Sequence, residues 1–314
     1  MLLYSSFLNN GVGAGSGTAH RYWRVRWVLA QDAGSTASIA LVEMYTGVFG
    51  GQNVCTGGIP IFSGQDSGAA ANAFDADLDN IWADTVTGVP GAYIGYDFGV
   101  GNEQDVKSVL MQARSNNSFV GQSPASFAVE WSDDNVSWTP AFSTTGQTWT
   151  TIEAKLYRLS APAWTSFGSR RHWRGFFHKM VGATSVAASI FGIAEMELRT
   201  SVGGADQTGS GTASSSGDLS ATFDAAKAFD NNSSTFWTRG GGVNTGQWLA
   251  YDMGAGNDID VLEIALRVRP DAFREDPASF RLQASSDGVN WETVYVIPLQ
   301  STWTAGEQRV FTLA

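Results

Sequence analysis

Two ten-residue stretches, AFDADLDNIW (73–82) and AFDNNSSTFW (228–237), are one element written twice, 155 residues apart. A chain that repeats an element must also repeat what surrounds it, and the recurrence does extend over most of the sequence. HWRGFF (172–177) echoes YWRVRW (22–27), within RYWRVRWVL, at 150, and AEMELRT (194–200) answers VEMYT (42–46) with Glu195 against Glu43 at 152. YDMGAGN answers YDFGVGN at 155, PASFRLQASSDGVNW answers PASFAVEWSDDNVSW at 153, and TWTAGEQRVFTL answers TWTTIEAKLYRL at 154. Offsets that drift so little imply two homologous domains whose insertions are confined to loops. The expected layout is a tether at 1–19, a first domain at 20–160, a linker at 161–169 and a second domain at 170–314.

The periodic segments have strand character. RYWRVRWVL (21–29) alternates Trp23, Val25, Trp27 and Leu29 with Tyr22, Arg24, Arg26 and Val28, the period of a half-buried strand. ASIALVEMYT (37–46) reads as a second strand, SFAVEWSDDNVSW (126–138) as a third with a turn at Asp134 and Asn135, and TWTTIEAKLYRLS (148–160) as the strand that closes the unit. None of these segments carries a helical stripe, and turns every 8–12 residues or so point to an antiparallel sandwich or jelly roll. Trp82, Trp138, Trp237 and Trp291 recur at matched positions. Core is their expected role, with a sugar platform as the alternative; a buried Trp contributes on the order of 4–6 kcal/mol before entropy is counted.

Composition removes several functions. A formal charge of −11 repels phosphate backbones, so nucleic acid is not an expected partner. The single cysteine, Cys55, rules out an intramolecular disulfide and a cysteine-based zinc site. No stretch is long and apolar enough for membrane insertion, and MLLYSSFLNNGVGAGSG lacks the basic start of a conventional secretory leader. Only three histidines occur, His20, His172 and His178, none repeated, and no Ser/His/Asp arrangement, HExxH pair or phosphate-cradling loop is present. Asp97 and Asp252 repeat, but a repeated acid at a strand end reads as structural rather than as half of a glycosidase pair. No enzyme is expected.

The twin loops admit two readings. Asp75, Asp77, Asp79 and Asn80, and likewise Asp230, Asn231, Asn232 and Thr235, offer the hard oxygens that Ca²⁺ takes. The same residue types also build turns without any metal.

The order AFD…W, QWLAYDMG, DPASFRLQASSDGVNW, with an AEMEL strand elsewhere, resembles the discoidin or coagulation-factor C-type domain, twice over from about residue 20. The resemblance implies an all-β chain of two tandem antiparallel β-sandwich, galactose-binding-like jelly rolls. It departs from the family in one respect: a strand pair like RYWRVRW…ALVEM, which closes the family domain, here opens each repeat. Either both domains are circularly permuted, or residues 50–200 form one domain and residues 20–46 cross to complete 209–314; permutation is the favoured reading, since sandwich termini lie close together.

The family also implies a site. Carried over by position, one structural Ca²⁺ per domain would be held by Glu43, Asp75, Asp77 and Asn80, and by Glu195, Asp230, Asn232 and Thr235. Ligand contacts would fall on Arg114, Asn116, Asn117 and Phe119, and on Arg269, Phe273 and Arg274. The resemblance thus implies a non-enzymatic protein that binds cell-surface glycans, similar to the receptor-binding fibres or spikes of phage or gene-transfer particles. It would be homo-oligomeric, exposed on a virion or extracellular particle, and joined to other virion proteins through residues 1–19. The alternative is a decorating virion protein that packs on its neighbours and binds no sugar.

Overall fold

The computed structural model describes residues 18–48, 50–84, 89–159, 166–180, 191–239, 246–271, 275–297, 299–300 and 302–313. Most of the tether, part of the linker, Phe273 and Arg274 lie outside the described residues. The chain divides into two compact units, Met1–Pro162 and Ala163–Ala314.

In the first domain the strands are β1 (Tyr22–Ala30), β2 (Ala37–Ile39), β3 (Leu41–Gly47), β4 (Gly50–Asn53), β5 (Ile59–Phe62), β6 (Trp82–Asp84), β7 (Tyr93–Asp97), β8 (Ser108–Gln112), β9 (Pro124–Ser132), β10 (Thr139–Thr144) and β11 (Ala154–Arg158). They pair antiparallel as a five-stranded sheet, β10-β9-β1-β7-β5, and a second sheet, β11-β8-β3-β4, with β2 on β6. Alternation in β1 sends Trp23, Val25 and Trp27 inward, where all three are fully buried. They meet Trp82, Met111 and Phe127 in one core, with Trp27 edge-on to Trp82 at 5.7 Å between ring centroids.

In the second domain the strands are β12 (His172–Met180), β13 (Phe191–Arg199), β14 (Thr212–Ser215), β15 (Trp237–Arg239), β16 (Gln247–Asp252), β17 (Glu263–Val268), β18 (Pro277–Ser285), β19 (Glu292–Ile297) and β20 (Gln308–Thr312). The order is β19-β18-β12-β16-β14 in one sheet, which matches β10-β9-β1-β7-β5 strand for strand, and β20-β17-β13-β15 in the other, where β15 pairs with β13 as β6 pairs with β2. Each opening strand therefore pairs inside its own half: β1 lies between β7 and β9, and β12 between β16 and β18. Arg21 and Arg171 lock the strand ends at matched places, each gripping Asp97 or Asp252 through two hydrogen bonds of 2.7–2.8 Å. The Arg171 guanidinium draws the Asp252 carboxyl down to about 2.

Three expectations need correction. The single strand expected over 37–46 is broken at Ala40 into β2 and β3. The closing strand is shorter than 148–160, because Ile152 takes a left-handed φ of 60° and β11 begins only at Ala154. Trp82 and Trp237 are fully buried, whereas Trp138 and Trp291 are only half-buried and lie on the outer side of their five-stranded sheets, each with an arginine stacked on its ring. They sit just past the turns after β9 and β18, where the chain reverses and a side chain can leave the interior.

Candidate functional site

The twin loops fold alike. Short 3₁₀ turns (70–74 and 225–228) lead into them, and one left-handed residue stands at the same step in each, Ala76 at φ 62° and Asn231 at φ 56°. Asp75 accepts from the Asp77 amide at 2.9 Å, and Asp230 from the Asn232 amide at 3.0 Å. Asp77 accepts from the Asp79 amide at 3.1 Å, and Asn232 from the Ser234 amide at 3.1 Å. Side-chain capping of backbone donors thus accounts for the turn chemistry of both loops. The fifth residue after the first aspartate differs: Asn80 donates an amide N–H to Asp75 at 2.9 Å, while Thr235 donates its hydroxyl to Asp230 at 2.9 Å.

Strand register overturns the alignment of the two glutamates. Glu43 lies opposite Leu110 on β8, and it is Glu197 that lies opposite the equivalent Ala265 on β17. Glu195 lies opposite Arg267, the counterpart of Gln112, and Gln112 faces Leu41. The true offset along this strand is 154, so Glu195 corresponds to Leu41 and Glu43 to Glu197. A slip of two residues keeps the same face of the strand, so apolar alternation alone cannot detect it.

This register separates the two halves chemically. Glu195 is 6% exposed, and its Oε1 is buried without a hydrogen-bond partner among the described residues. Burial pushes its carboxyl up to about 7; the Asn232 amide opposes the shift, and the charges of Asp230, Asp206 and Glu197 add to it. An orphaned buried carboxylate oxygen beside an aspartate loop, with Asn232 and Thr235 oxygens at hand, fits a hard cation. Among the described residues no three His, Cys, Asp or Glu side chains converge, so a cation here would have at most two carboxylates and would need neutral oxygens besides. The first domain does not fit. Leu41, 1% exposed, occupies the position of Glu195, while Glu43 accepts a hydrogen bond from the Tyr45 hydroxyl.

The two arginines expected to contact ligand have opposite company. Arg114 donates through Nη1 to Gln122 at 2.9 Å and to Ser38 at 3.4 Å, and its guanidinium stands 4.7 Å from the Phe119 ring centroid. Its Nε is buried without a partner, and burial alone draws its pKa down. Phe119 is 44% exposed, and Asn116 caps the turn 117–122 that carries Asn117 and Phe119 by accepting from the Ser118 amide at 2.9 Å. Arg269, by contrast, forms ion pairs with Asp271 and Glu275 and lies 4.1 Å from the Phe236 ring centroid. Those two carboxylates, brought in by the next loop, satisfy its charge within the protein.

Two antiparallel sandwiches of one strand order, each presenting polar and aromatic side chains at its loops, define a tandem β-sandwich binding protein. The F5/8 type C domain model matches the chain twice, over residues 61–169 and 210–314, and the chain belongs to that family. Such domains, also called discoidin domains, generally bind carbohydrates or surfaces, are generally non-catalytic, and are typically extracellular or surface-exposed. No curated protein and no solved structure matches the chain. No helix among the described residues is long and apolar enough to cross a membrane.

Proposed function

We propose that the protein is a non-enzymatic glycan-binding protein whose first domain engages sugar at the loop carrying Arg114, Asn116, Asn117 and Phe119. The observation that carries this reading is the half-buried Arg114 guanidinium, which has no carboxylate partner among the described residues and stands beside an exposed phenyl ring. A planar donor fork next to an aromatic face suits a ring that bears hydroxyls on its edge and C–H groups on its face. On a glycan array, Arg114→Ala and Phe119→Ala each lower binding by roughly tenfold, the effect of about 1.4 kcal/mol. Unchanged binding in both would remove this loop from the site.

The finer reading is a homo-oligomeric appendage of a phage or gene-transfer particle, attached through residues 1–19; its support is the modular resemblance. A chain lacking residues 1–19 then still binds glycans but no longer docks to particles. A structural Ca²⁺ belongs to the same reading, in the second domain alone. Glu195, Asp230, Asn232 and Thr235 would hold it, and its charge would satisfy the buried carboxylate and tie β13 to the loop. Permutation of both domains is likewise part of the proposal, supported by family matches that begin after β4 and after β13 and by opening strands that pair in their own halves.

A further inference from the structure

The outer face of the second domain's five-stranded sheet contains a cleft of about 360 Å³, within the roughly 300–1,000 Å³ of small-molecule sites. Arg174 forms its floor, Trp248 and Trp291 its walls, and His172, Thr212 and Ser214 its polar rim. Because Trp173 points into the core, alternation along β12 turns Arg174 outward. The guanidinium lies 4.1 Å from the Trp291 ring centroid and 5.6 Å from that of Trp248, and its Nε donates to Gln283 at 2.7 Å.

No carboxylate among the described residues pairs with Arg174. Desolvation, and then repulsion from Arg281, draw its pKa down to about 10, so the fold holds this charge at a cost. Asp252, at the end of the cleft, is occupied by Arg171 through two bonds of 2.7 Å.

The first domain shows what has been removed. Arg24 holds the equivalent place, 3.8 Å from the Trp138 ring centroid and 4.6 Å from that of Tyr93. There Glu130, directly opposite on β9, accepts from Arg24 at 2.8 Å and from Arg26 at 2.7 Å. Gln283 is directly opposite Arg174 in the same register. Exchanging Glu for Gln retains a hydrogen bond to the arginine and removes the neutralising charge.

We propose that this cleft binds an acidic sugar, a hexuronate unit of a polysaccharide, with its carboxylate on Arg174 and its pyranose ring against the tryptophans. An arginine fork matches a carboxylate in two-point geometry. The rim hydroxyls and the imidazole meet ring hydroxyls. In a chain of net charge −11 the selection for an anion is local to the recess.

The proposal rests on the reading of the protein as a glycan binder, and titration calorimetry on the full chain separates the two. A galacturonate tetrasaccharide and its neutral galactose counterpart serve as probes. The acidic sugar is expected to bind at least tenfold more tightly than the neutral one. Gln283→Glu, which installs the first domain's carboxylate with almost no change of volume, and Arg174→Gln should each weaken the acidic sugar tenfold or more and leave the neutral one unchanged; thermal melts verify that both variants fold. Equal affinity for both probes, or acid binding that survives both cleft substitutions, overturns the acidic cleft and leaves the glycan reading standing. Failure to bind either probe overturns the cleft as well, and only an array blank across all sugar classes takes the broader reading with it.

Discussion

In the first domain Arg24 and Arg26 share the Glu130 carboxylate, while Arg114 is left with an amide, a hydroxyl and a phenyl ring. In the second, Arg269 is clamped by Asp271 and Glu275, while Arg174 faces the neutral Gln283. Two sandwiches with one strand order have thus neutralised opposite members of the same pair of arginines. The loop-end cation stays available in one domain and the sheet-face cation in the other. The same asymmetry governs the acids, since the second domain buries Glu195 under its aspartate loop where the first has Leu41. Duplication preserved the cores and divided the charged work. An arginine is held by whichever acid its neighbouring strand or loop supplies, and a single substitution there changes its role without touching the fold.

The most disruptive test of this comparison concerns the cores. Trp82→Ala and Trp237→Ala should each cost about 3–5 kcal/mol, in the domain that carries the substitution. Calorimetry should resolve one lowered and one unchanged transition; if both transitions fall together in either variant, the halves are not separate stability units.

Acidity probes Glu195 next. Its folded pKa, about 7, lies above the ordinary carboxylate value, so the folded domain keeps a proton that the unfolded chain has released. Without divalent cations, stability of the second domain is therefore full below about pH 4 and falls as the pH rises towards 7, by roughly 2–3 kcal/mol. Glu195→Gln flattens that profile. A fall of the same size in the variant would locate the titrating group elsewhere.

Calcium should act in the opposite direction and in one half only. At a hundred times its Kd it adds about 2.7 kcal/mol to the second domain, most strongly above pH 7, where the carboxylate is ionised. The first domain's melt should not move, and Glu195→Gln should lose the increment. A first-domain melt that rises with calcium would restore a site the register argues against.

The smallest effect lies at the left-handed step of the twin loops. Asn231 tolerates that conformation, and Ala76 does so less readily. Replacing Ala76 with Asn should raise the first domain's stability by about 0.5–1 kcal/mol, read by chemical denaturation, with no change in the second domain.

Much of the fold was legible because the signals are local and repeated. Alternation in RYWRVRWVL placed the core face of β1 as far as Trp27, beyond which a shift of register against β9 leaves Leu29 exposed instead of in the core; the Asp/Asn turns formed as their residue types require, and Asp134 with Asn135 turns the chain with Asn135 at φ 58°. Glu195, the residue on which the proposed cation site of the second domain turns, stood out in the sequence because a glutamate on an apolar strand is conspicuous. That Glu43 is not the counterpart of Glu195 was hidden, because VEM and AEM align by letter at 152 while the backbones pair at 154. The sheet-face cleft was hidden too, since Trp291 repeats like a core residue and Arg174 reads as an ordinary solvent-side position.

Taken alone, the sequence determined that there are two domains, that they are antiparallel β, and which loops carry oxygen-rich turns, because periodicity, composition and repetition act over a few neighbouring residues. Tertiary structure alone decided which arginine meets an acid and which strand position lies under the aspartate loop. Those choices depend on hydrogen-bond register, which brings together Arg24 and Glu130 across 106 residues of chain and Arg174 and Gln283 across 109. Glu195 likewise meets the Asn232 amide only once β13 has paired. No local pattern encodes such a meeting, because register is settled only when strands distant in sequence pair.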